Sequence, residues 1–346
     1  MIIGTRDSFG FGRQVYHPCS GAFAESIHAL LRDHSLAPGE PDRAAIVGYL
    51  GGQRLPGHTI LQDVRAVPPG HALQRLSQGL VVDAMPNEAR PGDLNLRLRA
   101  SLQAALHGGK RVALALSGGL DSALLLALLK AMDAPSIPVY ILAANLPDYS
   151  ELDAALDTAH RLGAEAIVVE VREESFVAAL PEAIRHVEEP LFNLHPVAKL
   201  LLAKAMRQDG IELAISGDGA DQVLKRDRSA NYLPLCKTLF DAAGVTLHAP
   251  FLDTDVIAHL VSLPPDPDKP CLRELGETLQ LPAHLVHGPK RSRLAPPMDL
   301  GALLDKARIA ALSSRLRLPP PELAKDAERV LWATLLLVLD QLGVAT

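Results

Sequence analysis

The sequence contains few cysteines and no concentration of positive charge. Its 346 residues include only Cys19, Cys236 and Cys271, which lie far apart in the chain. Three widely separated thiols do not indicate a disulfide framework or a C-x-x-C metal or redox site. The formal net charge is −6, and no block of lysine and arginine stands out. A nucleic-acid-binding surface is therefore not expected.

Long apolar runs are also missing. No run approaches the length that crosses a membrane, and the first residues, MIIGTRDSFGFG, lack the apolar core of a signal peptide. We therefore expect a soluble, cytoplasmic protein without a membrane partner. Because 48% of the residues are hydrophobic, the chain can bury a substantial core and is long enough for two domains.

The most informative stretch begins at Arg111. Arg111–Leu116 is a short apolar run that is typical of a buried strand. A serine and two glycines end this run, and helix formers follow over Ala123–Ala131. A glycine turn between a strand and a helix lets backbone N–H groups bind a phosphate. Asp121 places a carboxylate there, which indicates a bridging cation such as Mg²⁺. The alternative is a simple turn in which Asp121 and Ser122 cap the helix.

A second strand ends in a similar way. Residues Ile215–Gln222 read ISGDGADQ, so an apolar run is followed by a serine, two glycines and the carboxylates of Asp218 and Asp221. If both strands belong to one sheet, Asp121 and Asp221 can share one or two Mg²⁺ ions as oxygen ligands. In the alternative interpretation, the aspartates form Asx-type turns that only bind backbone N–H groups.

Short apolar runs alternate with helical stretches from about residue 92 onward. Strands are predicted over Arg111–Leu116, Ile137–Leu142, Ala166–Val171 and Glu212–Ile215, and helices over Leu94–His107, Ser122–Ala131, Ser150–Leu162, Glu174–His186 and Val197–Gln208. This alternation predicts an α/β fold with a parallel sheet and helices on both faces. Ligands of such sheets bind beyond the carboxyl ends of the strands, where both glycine-containing turns fall.

Residues 1–85 are predicted to form a small α+β region of their own. Helices are expected over Ala22–Leu31 and Arg43–Leu50, and the polar, proline-marked chain from Val81 to Gly92 is interpreted as a linker. Near the other end, Pro321–Leu342 is predicted to form one helix that packs in the core or in an oligomer contact.

The two turns resemble the signatures of one enzyme family. Ser117–Ser122 resembles S-G-G-x-D-S, the pyrophosphate-binding loop of the PP-loop ATP pyrophosphatases. Ser216–Gln222 resembles S-G-E/D-G-[SA]-D-E, the second signature of the asparagine synthetase family, which includes β-lactam synthetases and lasso-peptide cyclases. The resemblance implies an adenine-nucleotide α-hydrolase-like synthetase domain over residues 92–346, with ATP and Mg²⁺ as cofactors.

The resemblance also implies roles for individual residues. The implied nucleotide-binding positions are Leu116, Ser117, Gly118, Gly119, Leu120, Asp121, Ser122, Ser216, Gly217 and Lys269. Asp121 and Asp221 match magnesium ligands. Lys290 matches a catalytic lysine that stabilises charge at the α-phosphorus, and Asp218 matches a carboxylate, usually Glu, near the reacting acyl group. Glu189 is interpreted as a surface charge at a helix end and Asp253 as a helix N-cap.

Parts of the first 85 residues resemble the back half of the family's Ntn-type glutaminase domain. The matching segments are Gly4-Thr5-Arg6-Asp7 with Gly10, Ala22–Leu31 and Pro68-Pro69-Gly70-His71. The family's glutaminase uses an N-terminal cysteine, whereas this sequence starts Met1-Ile2-Ile3 and Cys19 matches a non-catalytic position. We therefore expect a truncated, inactive remnant that serves packing and makes no ammonia from glutamine.

These features predict an ATP-dependent, AMP-forming carbon–nitrogen ligase. It would adenylate a small-molecule or peptide carboxylate and couple it to an amine. Gln222-VLKRDRSANY replaces the family's Gly-Gly-Tyr turn after Asp221, which favours specialised, natural-product biosynthesis; the β-lactam type is disfavoured because it would carry Tyr at Asp218. The alternatives are an asparagine synthetase that uses free ammonia or a partner glutaminase, a non-catalytic nucleotide-binding subunit, and a tRNA-modifying PP-loop enzyme. A partner protein completing the N-terminal domain and a homo-oligomer stay open.

Overall fold

The computed structural model describes residues 1–77, 79–86, 88–144, 152–288 and 299–344. Within that part of the chain, no helix is long and apolar enough to cross a membrane. The first 84 residues form two small antiparallel sheets with two short helices, and the remainder is built around a five-stranded parallel sheet. The predicted α/β fold with a parallel sheet is confirmed.

Each N-terminal sheet has three strands, in the orders β1-β5-β6 and β3-β2-β4. The strands are β1 (Ile2–Thr5), β2 (Val15–Tyr16), β3 (Phe23–Ala24), β4 (Arg65–Ala66), β5 (His71–Leu76) and β6 (Gly79–Ala84), and the helices are α1 (Ile27–Asp33) and α2 (Arg43–Leu50). The helix predicted over Ala22–Leu31 is wrong at its start, because residues 23–24 pair with β2. The linker prediction also began too early, because β6 pairs with β5 over its whole length.

The parallel sheet has the order β11-β10-β7-β8-β9. Its strands are β7 (Val112–Leu116), β8 (Val139–Ala144), β9 (Ala166–Val171), β10 (Leu213–Ser216) and β11 (Thr246–His248). The helices are α3 (Leu94–His107), α4 (Leu120–Ala131), α5 (Leu152–Leu162), α6 (Glu173–Val187), α7 (His195–Gln208), α8 (Ala220–Lys225), α9 (Leu233–Ala242), α10 (Thr254–Leu260), α11 (Pro270–Thr278), α12 (Ala283–Val286), α13 (Lys306–Arg315) and α14 (Asp326–Gln341), with 3₁₀ turns at Pro250–Leu252 and Gly301–Leu303.

Helices cover both faces of the parallel sheet, as the sequence pattern predicted. Leu114 and Leu116 of β7 pack in a core with α3, α4 and α11, whereas the intervening Ala115 faces a second core formed with α7 and α9. Successive side chains of a strand point to opposite faces, so this alternation requires apolar partners on both sides. The strand that carries the first turn is therefore fixed from both faces.

A third core joins the N-terminal sheets to the C-terminal helices. Ile27, Leu30 and Tyr49 from the N-terminal region pack with residues of α6 and α14, including Leu180 and Leu335. Helix α14 is shorter than predicted, because residues 321–325 precede it without regular structure. Its packing in a core is as expected. The identity of residues 1–85 as a glutaminase remnant stays a prediction.

Candidate active site

The first turn lies at the carboxyl end of β7, at the centre of the sheet. Helix α4 begins at Leu120, and its N-cap Gly119 makes no side-chain capping bond. Ser122 is buried, and its Oγ accepts a hydrogen bond of 2.9 Å from the Ser117 backbone N–H and lies 2.8 Å from the Ser117 Oγ. The Gly119 N–H also donates to the Ser117 Oγ, at 3.3 Å. The two serines thus hold the glycine turn in one shape.

The second turn leaves the adjacent strand at the same edge. Ser216 of β10 is in register with Ala115 of β7, so the two strands end side by side. The turns are in direct contact, since a Cβ atom added at Gly217 would lie 2.8 Å from the Ser122 nitrogen and 3.0 Å from the Asp121 carbonyl carbon. Gly219 has φ +97°, and a Cβ atom there would clash with the Leu252 side chain. Both positions therefore require glycine.

Lys269 brings the two turns together electrostatically. Its Nζ lies 2.8 and 2.6 Å from the two carboxylate oxygens of Asp121 and 3.4 Å from Asp221 Oδ1. Lys225, one helical turn after Asp221, lies 3.3 Å from the same Oδ1 atom. Lys269 is buried and occupies a left-handed backbone conformation immediately before α11. Charged side chains from three separate segments of the chain are thus in contact at this edge of the sheet.

The donor set at this point fits a magnesium ion. Asp121 and Asp221 supply carboxylate oxygens, the hard ligands that Mg²⁺ prefers, and both already face one cation, the Lys269 ammonium. In the described part of the chain, no group of three or more His, Cys, Asp or Glu side chains could hold a metal ion. A magnesium ion here would therefore take its remaining ligands from water and phosphate oxygens.

Asp218 lies in the second turn and is held by two donors. Its Oδ2 accepts a hydrogen bond of 2.6 Å from Ser216 Oγ and lies 3.1 Å from Lys199 Nζ. Burial by itself would raise the pKa of Asp218, but the charge of Lys199 and the Ser216 hydrogen bond outweigh it, so the pKa lies below its usual value. Asp218 is therefore a carboxylate anion at neutral pH and a weak proton acceptor.

The anionic Asp218 affects its neighbours. Burial and the Asp218 charge raise the pKa of the Cys236 thiol to about 12, so this cysteine of α9 is an inert, protonated core residue. The Tyr232 ring stacks on His195 with centroids 5.7 Å apart, and its centroid lies 6.0 Å from Lys199 Nζ. The second turn is thus bordered by one buried lysine and two aromatic rings.

The structure brings most of the predicted site residues together. Ser117, Asp121, Ser122, Gly217 and Lys269 surround one point at the carboxyl edge of the sheet, with Asp221. The side chain of Leu116 is in the core and that of Leu120 packs toward α11, so these two positions offer only backbone groups to a nucleotide. Lys290, the predicted catalytic lysine, lies outside the described residues.

Two secondary predictions need correction. Glu189 is not a surface charge, because its side chain is only 24% exposed and forms ion pairs with Arg54 and Arg13. Asp253 occupies the N-cap position of α10 as predicted, but its side chain makes no capping hydrogen bond. Its Oδ2 instead lies 3.9 Å from His248 Nε2.

Sequence reasoning missed Lys199 and Tyr232 and assigned no chemistry to His195. A signal for Lys199 is present in the sequence. Lys199 lies on the same face of its helix as the buried Leu202, Ala203 and Met206, at spacings of three, four and seven residues. A lysine on an apolar stripe requires a buried partner, although the partner itself cannot be read from the local pattern.

Comparison with known proteins finds similarity to one enzyme family in this region. The family model described as "Asparagine synthase" matches residues 93–226, a range that includes both turns. Glutamine-hydrolyzing asparagine synthetase 1 of Bacillus subtilis (strain 168) is 25% identical over 237 residues, covering 64% of this chain and 37% of that protein. Glutamine-hydrolyzing asparagine synthetase of Homo sapiens is 27% identical over 264 residues, covering 65% and 46%.

The chain therefore matches less than half the length of these curated relatives. Among solved structures, NMN synthetase from Francisella tularensis aligns with a TM-score of 0.38 and 15% identity, over 70% of this chain and 91% of that chain. That likeness is too low to bear on function. The family model and the relatives support the family predicted from the two signatures: residues 93–226 match the asparagine synthase model.

Proposed function

We propose that this protein is an ATP-dependent, AMP-forming amide ligase. The oxygen of a substrate carboxylate attacks the α-phosphorus of ATP, which gives an acyl-adenylate and releases pyrophosphate. An amine then attacks the acyl carbon, loses a proton, and expels AMP. The observation that carries the proposal is the convergence of Asp121 and Asp221 on Lys269, beside a glycine turn at the sheet edge.

The first turn would bind the β- and γ-phosphates. Ser117 and Ser122 hold the turn rigid, and the first N–H groups of α4 have no helical partners of their own. Such N–H groups, with the positive end of the helix dipole, favour a polyanion. Lys269 adds a buried positive charge that stabilises the departing pyrophosphate.

Asp121 and Asp221 would hold Mg²⁺ in this account. The ion neutralises triphosphate charge when it is bound, and the two carboxylates come from separate turns, so they can bracket the phosphates. Both carboxylates also contact the Lys269 ammonium, so the lysine and the ion would face the same two anions. The resemblance also implies that Lys290 would stabilise the negative charge that develops at the α-phosphorus.

Asp218 would act near the acyl group. Because its pKa lies below the usual value, it is better suited to orient a polar group or an ammonium ion than to act as a strong base. Asp218 lies three residues before Asp221, so one turn would contribute to both the metal site and the acyl site.

We propose a specialised biosynthetic substrate rather than aspartate. The supporting observation is the segment after Asp221, where Gln222 and a basic stretch replace the family's acidic residue and Gly-Gly-Tyr turn. Tyr232, at the end of this segment, packs against His195 and faces Lys199, so the altered segment reaches the surroundings of Asp218. Asparagine formation with ammonia or a glutaminase partner is the second candidate, because the curated relatives bear that name.

The proposal is tested by measuring pyrophosphate and AMP from MgATP with a panel of carboxylates, including aspartate and peptides. Hydroxylamine in the assay traps an acyl-adenylate as a hydroxamate and needs no knowledge of the natural amine. Carboxylate-dependent pyrophosphate supports the ligase, and the active carboxylate indicates the substrate class. Formation of ADP and phosphate contradicts the mechanism. Pyrophosphate release that requires tRNA would favour a tRNA-modifying enzyme, and tight ATP binding without turnover a non-catalytic subunit.

A further inference from the structure

Lys199 is an unusual residue in the interior of this protein. It is only 7% exposed and lies on α7 among buried apolar residues such as Leu202, Ala203 and Met206. An unpaired ammonium at such a place is strongly unfavourable, so a buried lysine requires an anionic partner. The surroundings of Lys199 are therefore expected to contain a matching charge.

That charge is Asp218, on the second turn. Lys199 Nζ lies 3.1 Å from Oδ2 and 3.5 Å from Oδ1, and in the described part of the chain Asp218 is its one acidic partner. The contact joins α7 to the turn that follows β10, the next element along the chain. Ser216 completes the arrangement by donating to the same Oδ2 atom.

The other groups around Asp218 carry no permanent charge. His195 lies one helical turn before Lys199 and stacks on Tyr232, and Cys236 of α9 is buried and protonated. His195 contributes a small favourable charge interaction when it is protonated, after the larger effects of Lys199 and Ser216. Lys199 is thus the one fixed cation among the described residues that face this carboxylate.

We propose that Lys199 is a positioning residue: it keeps Asp218 ionised and in one orientation beside the acyl site. This inference rests on the proposed ligase function, since only that function gives Asp218 a role. Lys199 pairs directly with Asp218, so it acts through the aspartate. The role involves only Lys199 and Asp218, and it leaves the residues proposed to bind ATP unchanged.

A direct consequence concerns the titration of Asp218. An opposite charge within hydrogen-bonding distance lowers a carboxyl pKa by roughly 1–3 units, so removing Lys199 should raise the titration midpoint of Asp218 by that amount. Desolvation, no longer opposed by Lys199, would raise it further. In Lys199→Met, Asp218 would then stay protonated to a higher pH than in the wild type.

The experiment is carboxyl ¹³C NMR of protein labelled at aspartate, titrated without ATP, with Asp218→Asn used to assign the signal. The wild-type Asp218 signal should titrate below the ordinary aspartate value of about 3.9. Lys199→Met should move the midpoint up by roughly 1–3 pH units. Lys204→Met is the matched control, because Lys204 lies on the same helix and pairs with the partly exposed Glu182; it should leave the midpoint unchanged.

A second variant protects the test against misfolding. Lys199→Gln keeps a polar side chain without the charge and should shift the midpoint in the same direction as Lys199→Met. A wild-type midpoint at or above the ordinary value, or a midpoint unchanged by either neutral variant, overturns the proposal.

A kinetic measurement links the pair to the reaction. In Lys199→Met, the acidic limb of the pH profile for carboxylate-dependent pyrophosphate release should move up together with the NMR midpoint, while the dissociation constant for ATP stays within about twofold. Activity lost equally at every pH, with normal Asp218 titration, would contradict the positioning role. If the wild type releases no pyrophosphate at all, the ligase proposal fails, and the NMR titration still reports on the Lys199–Asp218 pair.

Discussion

At the scale of single residues, Ser122 illustrates how one side chain fixes a binding loop. Its Oγ lies within hydrogen-bonding distance of the backbone N–H, the hydroxyl and the carbonyl oxygen of Ser117, and of the Gly119 carbonyl oxygen. A hydroxyl is small enough to fit inside the turn and can both donate and accept. The loop therefore has a defined shape before any nucleotide binds.

Ser122→Ala should loosen this loop. The change leaves the Ser117 N–H without its acceptor, so we expect a loss of about 1–3 kcal/mol in the free energy of unfolding and weaker ATP binding. Urea unfolding and ATP titration calorimetry measure the two effects. Ser314→Ala, at an exposed serine, should change stability by less than about 0.5 kcal/mol. Equal behaviour of the two variants would contradict the role of Ser122.

Asp121 is the residue whose loss should affect turnover most. Asp121→Asn removes one of the two carboxylates that face Lys269 and the proposed Mg²⁺, so we expect carboxylate-dependent pyrophosphate release to fall by at least about 100-fold. Asp157→Asn, which breaks an exposed ion pair with Arg161, is the control and should retain activity. Pyrophosphate release by Asp121→Asn at the wild-type rate would exclude a metal-holding role.

The sequence identified these residues because their signals are local. The first signature spans six consecutive positions and the second spans seven, and a strand, a glycine turn and a helix suffice to orient them. Lys199 was missed for the opposite reason, because its partner Asp218 is 19 residues away and reaches it only through the packing of α7 against the sheet. A charge pair between a helix and the end of the following strand depends on how the two elements pack, which periodicity does not encode.

At the scale of elements, the close approach of the two turns determines the geometry of the site. Strands β7 and β10 are neighbours, and Gly217 packs directly on the Asp121–Ser122 peptide. The atoms that a side chain at Gly217 would meet belong to the backbone, so they cannot move aside as a flexible side chain could. The spacing between the carboxylates of Asp121 and Asp221 therefore depends on the absence of a Cβ atom.

Gly217→Ala should separate the turns. The added Cβ would lie 2.8 Å from the Ser122 nitrogen, so we expect pyrophosphate release to fall at least about tenfold, because catalytic groups are sensitive to small displacements. Gly108→Ala is the matched control, since a Cβ atom there would lie 3.8 Å from the Ala105 carbonyl oxygen and its backbone is not left-handed. Steady-state kinetics of both variants measure the effect. Normal kinetics for Gly217→Ala would show that the turns can separate without consequence.

Element prediction succeeded where the hydrophobic period was clear. Helices α2 and α3 have the predicted boundaries, and the strand predicted over Ala166–Val171 is observed unchanged. Errors occurred where the chain makes short antiparallel pairs. Residues 23–24 were assigned to a helix, although their pairing with β2 takes them into a sheet. A two-residue strand leaves no period in the sequence, so only its partner reveals it.

At the scale of the whole molecule, a buried glutamate joins the N-terminal region to the α/β unit. Glu188, which follows α6, is only 2% exposed and accepts hydrogen bonds from the backbone N–H groups of Ile27 and His28, at 2.6 and 2.8 Å. It also lies 3.2 Å from an Arg13 nitrogen and 2.7 Å from His28 Nδ1. One carboxylate thus caps α1 and pairs with two side chains from the N-terminal region.

Glu188→Gln should weaken this junction. It removes the charge of one partner in a buried ion pair, so we expect the free energy of unfolding to fall by roughly 3–5 kcal/mol at neutral pH. Glu182→Gln, which breaks the partly exposed pair with Lys204, should cost less than about 1 kcal/mol. Urea unfolding at equilibrium compares the two variants. Equal stability would mean that the Glu188 contacts do not support the fold.

The same junction should make stability depend on pH. Burial would raise the pKa of Glu188, but the His28 hydrogen bond and the Arg13 charge outweigh it, so its pKa is lowered and its stabilisation is lost as pH falls through that value. The Glu188 hydrogen bond raises the pKa of His28, so that contribution is present below the ordinary histidine value and lost as pH rises through the raised one.

Stability from this junction should therefore be greatest between about pH 4.3 and 6.5, the ordinary values of the two groups. Glu188→Gln should remove most of this dependence while Glu182→Gln keeps it. Unfolding free energies measured across the acid and neutral range test the prediction, and a wild-type profile that does not fall on either side of this window would contradict it.

The central claim is that a carboxylate oxygen attacks the α-phosphorus of ATP. The most direct measurement uses a substrate carboxylate labelled with ¹⁸O and mass spectrometry of the products after turnover with an amine. The account predicts that one labelled oxygen per turnover appears in AMP, since that oxygen stays on phosphorus when the amine displaces the acyl group. Label in inorganic phosphate formed with ADP, or product formation without label in AMP, would contradict the account.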